Sequence, residues 1–77
     1  MDLEPTETHI WDQKRILWLR ENRLREIETA GWTILYQDPA DSRFWELTYP
    51  NKEQHGDGPA QLSVISRIDA VSRYRIR

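Results

Sequence analysis

A chain of 77 residues has room for one hydrophobic core and no second domain, because at this length only about 60 % of the unfolded surface can be buried. The absence of cysteine excludes disulfide staples and thiolate metal sites, leaving His9 and His55 beside the carboxylates as possible metal ligands. A net charge of -2 is too small to choose a partner, the short apolar runs exclude a membrane span, and four Trp, three Tyr and one Phe make a folding composition.

Residues 1–9, acidic and carrying Pro5, are expected to form a flexible N-terminal tail ahead of a single domain over 10–77. An acidic start is also not that of a signal peptide, so the expected location is the cytoplasm. From Ile10 to Thr29 the residues favour helix, with no Gly or Pro. A single helix there would spread its apolar residues around most of the circumference, so a break near Arg20 to Asn22 is expected. This predicts a helix over Ile10 to Glu21 and a second short helical segment over Arg23 to Glu28, closed by Gly31 in the left-handed cap conformation.

The β signals follow. Trp32 to Gln37 is β-branched and aromatic, Asp38-Pro39-Ala40-Asp41-Ser42 carries turn chemistry, and Arg43 to Tyr49 alternates until Pro50 stops it. The pattern predicts an antiparallel hairpin in which Trp45, Leu47 and Tyr49 pack on the helices while Phe44, Glu46 and Thr48 face outward. Trp32 and Trp45, on neighbouring strands, are both expected to be buried. Residues 51–59 read as a loop and Gln61 to Ile65 as a third strand. Ser66, with Asp69 three residues later, resembles a capping box that opens a short helix ending at Tyr74. The predicted fold is α+β: a three-stranded antiparallel sheet with an N-terminal helical segment on one face and a short C-terminal helix.

Catalytic chemistry finds little support in these residues. Asp38, Asp41 and Glu46 could serve as acid and base, but no nucleophile accompanies them, and both aspartates are explained as turn residues. His55-Gly56-Asp57-Gly58 lacks the Lys and Ser/Thr of a phosphate loop, and His55 with Asp57 makes only two of the ligands a metal needs. No enzyme activity, cofactor or metal is expected. The basic runs Lys14 to Arg25 and Arg67 to Arg77 leave a small nucleic-acid-binding module as an alternative function, and a general protein-interaction domain as another.

Gly31-Trp32, Leu35 to Pro39, Arg43 to Pro50 and His55 to Pro59 with Leu62, taken in this order and spacing, resemble immunity protein family 27, whose members belong to bacterial polymorphic toxin systems. Departures are Ser42 where the family usually has glycine, Phe44 where tyrosine is common, Asp57 within what is usually a three-glycine run, and Ala60 in place of a second proline. Serine at position 42 argues for a longer loop or a type I turn over a two-residue primed turn. The resemblance implies a protein that neutralises a cognate toxin by direct binding. Its expected contact residues are those the fold does not need: Asp41 at the hairpin tip, Glu46 on the outer strand face, and Lys52, Glu53, His55 and Asp57 in the long loop.

Overall fold

The computed structural model describes residues 2–50 and 59–76. In chain order it has β1 (His9–Ile10), α1 (Gln13–Asn22), β2 (Arg25–Ala30), β3 (Thr33–Gln37), β4 (Phe44–Thr48), β5 (Gln61–Ile65) and α2 (Arg67–Tyr74). The strands form one antiparallel sheet in the order β1-β5-β4-β3-β2, five strands where three were expected.

Helix α1 begins where Asp12 caps it, its carboxylate accepting from the backbone N–H groups of Lys14 at 3.0 Å and Arg15 at 3.2 Å. It ends at Asn22, as the break in periodicity predicts. The segment that follows is no helix. Arg25 to Ala30 have helix-favouring side chains, yet they pair with β3 from Arg25↔Gln37 to Ala30↔Thr33. Gly31 causes this: with φ 61° it opens a two-residue turn with Trp32, so its left-handed conformation serves a hairpin instead of a helix cap. Once the turn returns the chain, ladder hydrogen bonds outweigh a propensity difference of a few tenths of a kcal/mol per residue. A bulge between Glu26 and Glu28 lets Ile27 turn toward the core.

The β3–β4 hairpin and β5 lie where the alternation put them. Its connection is the longer loop that Ser42 suggested: Ser42 N–H donates to the Asp38 carbonyl, and Ser42 itself takes φ 65°. Asp38 and Asp41 are turn residues as expected, their carboxylates accepting from the N–H of Ala40 and of Arg43.

Alternation then divides the core. On one face Tyr36, Trp45, Leu47 and Leu62 pack with Ile10 under Ile16 and Leu19 of α1. Leu35 and Phe44 on the other face pack under Ala70 and Tyr74 of α2. Helix α2 starts at the expected cap, Ser66 Oγ accepting from Asp69 N–H at 3.1 Å, and stops after Tyr74, where Arg75 turns left-handed at φ 54°. The sheet is therefore covered on both sides, and the face expected to look into solvent is closed by α2. Nor do residues 2–8 stand apart from the body: Thr8 accepts from Val64 N–H, His9 pairs with Ser63, and three arginines hold residues 2–7.

Candidate functional site

Antiparallel topology sorts the loops between the two ends of the sheet. At one end are the Gly31–Trp32 turn, the exit of β4 through Tyr49 and Pro50, the entry to β5 through Pro59 and Ala60, and Trp11 just after β1. At the other are the 38–43 turn and the start of α2.

At the first end Gln13 ties the chain after β1 to the entry of β5. Its side-chain amide donates to the Ala60 carbonyl at 2.7 Å and accepts from Ala60 N–H at 2.9 Å, a two-point clasp on the chain entering β5. The same amide nitrogen reaches the Trp11 carbonyl at 2.8 Å. Trp11, beside this clasp at the β1 edge, is 58 % exposed, and Trp32, on the β2–β3 turn toward the other edge of the sheet, is 72 % exposed. Trp32 was expected in the core. It is surface instead because it is the second residue of a two-residue turn, beyond the last ladder pair, where no neighbouring strand covers it. An exposed tryptophan offers a partner more apolar area than any other side chain.

The residues singled out in the sequence are dispersed. Asp41 is exposed at the opposite end of the sheet, where it accepts from Arg43 N–H at 3.0 Å and from Arg43 Nε at 2.6 Å. Burial would raise its carboxyl pKa, but those bonds and the charges of Arg43 and Arg23 leave it below the usual range. Glu46 is not on an outer surface. It is 7 % exposed beneath α2, and its carboxylate accepts from Arg73 Nη1 and from the Tyr74 hydroxyl, each at 2.9 Å. The correction follows from α2 lying on that face. Lys52, Glu53, His55 and Asp57 lie outside the described residues.

Around Glu46 the structure builds a polar node within the second core. Tyr74 OH also meets Thr33 Oγ1 at 2.7 Å, and burial, with the Glu46 carboxylate adding to it, pushes the phenol pKa up to about 12. A carboxylate held by an arginine and a phenol ties α2 to β4. Three cations of the basic run have partners within the fold: Arg20 Nε donates to Tyr36 OH at 2.7 Å, Arg15 is bonded to Glu7, and Arg23 lies 3.6 Å from Asp38. Among the described residues no three His, Cys, Asp or Glu side chains gather as a metal site, and no helix is long and apolar enough to cross a membrane.

Against known proteins, the family model described as Immunity protein 27 matches residues 6–66. The match takes in α1 and all five strands and ends at Ser66, the cap of α2. No curated protein and no solved structure matches the chain.

Proposed function

The chain belongs to the immunity protein 27 family, and we propose that it neutralises a cognate bacterial toxin in the cytoplasm by direct protein–protein binding, with no reaction of its own. The observation that carries the contact surface is the exposure of two tryptophans, Trp11 and Trp32, at one end of the sheet. Aromatic side chains have few rotatable bonds to immobilise on binding and are the usual energetic anchors of an interface. The connection carrying Lys52, Glu53, His55 and Asp57 leaves and re-enters the fold at this same end, so these four stay in the proposed contact set. Asp41 would reach a toxin only if the toxin also wrapped the far end, and Glu46 supports the scaffold from within.

Nucleic acid suits the surface less well, since a polyanion would have to displace the carboxylates of Glu7, Asp2 and Asp38 that face Arg15 and Arg23. The test is co-expression rescue with a toxin domain encoded beside this chain, paired with binding of the purified proteins. Trp11→Ala with Trp32→Ala should weaken binding by about 2 kcal/mol or more, roughly thirtyfold, while the melting temperature holds. Undiminished binding would move the interface elsewhere. A neighbouring toxin that neither binds nor is neutralised, together with a salt-sensitive gel shift, would replace the reading with nucleic-acid binding.

A further inference from the structure

We propose that the guanidinium groups of Arg15, Arg23 and Arg43 form a cradle for an extended acidic segment of a partner protein, a site that residues 2–7 of this chain occupy in cis. The inference does not rest on the toxin reading, and Arg23 and Arg43 lie toward the sheet end opposite Trp32.

The occupant is visible in detail. Arg15 is bonded to both oxygens of the Glu7 carboxylate, with Nη1 2.6 Å from Oε2, and its Nη2 also donates to the Asp2 carbonyl at 2.7 Å. Arg43 Nη1 donates to the Glu7 carbonyl at 2.6 Å and Nη2 to the Glu4 carbonyl at 3.3 Å. Arg23 Nε stands 2.9 Å from Asp2 Oδ1 as an ion pair without hydrogen-bond alignment. Leu3 adds one apolar contact with the first core.

Two features distinguish this from a merely pinned terminus. First, part of the cradle is placed by groups outside the occupant: Arg43 is oriented by Asp41 and lies 5.1 Å over the Trp45 ring, and Arg23 lies 3.6 Å from Asp38. Cations held in place in advance cost a ligand less to engage. Second, the contacts are those an unrelated acidic chain can reproduce: three carbonyls, which any residue supplies, and two carboxylates, set among three guanidiniums. No residue from 2 to 7 pairs with a strand, and the side chains of Asp2, Glu7 and the arginines all reach solvent, so each ion pair is individually weak. The segment stays seated because it is tethered, at an effective concentration of order mM for so short a link. An acidic partner segment with contacts beyond the cradle can therefore displace it.

The test uses the full-length chain with Asp2→Gly and Glu7→Gly, which removes both carboxylates without adding positive charge. The probe is a fluorescently labelled peptide of residues 2–8, followed by anisotropy. It should bind the double variant and not the parent, whose cradle is filled, and should release as salt rises. Adding Arg15→Gln to the variant, or Arg23→Gln where that chain does not melt cooperatively, should weaken binding about tenfold or more. The same peptide with Asn and Gln for its acids should not bind. The proposal is overturned if the peptide binds parent and variant alike or neither, or if residues 2–7 keep their amide protection in the variant. It is overturned too if a single-stranded oligonucleotide of equal charge competes as well as the unlabelled peptide, since the cradle would then be a general polyanion site.

Discussion

Replacing Glu46 with alanine tests the closure of the second sheet face directly. The substitution removes the acceptor of the Tyr74 hydroxyl, a buried charge-assisted bond of 2.9 Å worth about 1.5–3 kcal/mol. It also removes the partner of Arg73, whose guanidinium is half exposed, so that bond adds only about 0–1 kcal/mol. Relief of the buried carboxylate's desolvation works the other way. The net expectation is a loss of about 2–3 kcal/mol, which for a domain of this size lowers the melting temperature by roughly 10–20 °C. Urea titrations of Glu46→Ala, Tyr74→Phe and the double variant complete a cycle, and the two sites should couple by about 1–2 kcal/mol because they share one bond. Glu46→Ala within about 0.5 kcal/mol of the parent, or strict additivity, would refute the arrangement. The consequence for functional assays is practical. Charge reversal at Glu46 should abolish toxin rescue by unfolding the chain, so loss of rescue there identifies no contact.

Three further outcomes are expected. Trp45→Ala, at a residue with no exposure, should cost about 3–5 kcal/mol, whereas Trp32→Ala should change stability by under about 0.5 kcal/mol; equal effects in chemical melts would contradict the placement of either ring. Ser42→Gly should stabilise by about 0.5–1 kcal/mol, because φ 65° strains serine and not glycine, and the same melts would show any loss. Glu7 is held down to about 2, chiefly by its bonds to Arg15, so its contribution is complete above the ordinary carboxylate value of 4.5 and disappears as pH falls toward 2. The melting-temperature gap between the parent and Glu7→Gln should therefore narrow over that interval, and a gap constant with pH would show that the ion pair adds nothing.

The elements legible in the sequence were those whose signals are local. β3, its turn, β4 and β5 announce themselves by alternation bounded with Asp, Pro and Ser, and α2 by Ser66 and Asp69 at its start. β2 was not legible, because Arg25-Glu26-Ile27-Glu28 has helical composition and takes its strand form from a neighbour seven to twelve residues away. β1 is two residues long, too short for any period to show, and is defined only by its pairing with β5, some fifty residues on.

The candidate site was hidden by the same split between local and distant causes. Trp32 carries the composition signal of a core residue, and only its position after Gly31, as half of a two-residue turn, marks it as surface. Glu46 carries the signal of an outer face, since a carboxylate between Phe44 and Thr48 on an alternating strand ordinarily meets water. What buries it is Arg73 and Tyr74, twenty-seven and twenty-eight residues downstream on a helix of eight residues. The two placements are complementary. A charge is taken into the scaffold because a late helix brings the partners that make its burial tolerable, and an aromatic is left outside on a two-residue turn where its apolar area has nothing of its own chain to cover. For a family whose proposed task is to bind, the second of these is where a partner gains most from contact, and the first is what holds that surface in shape.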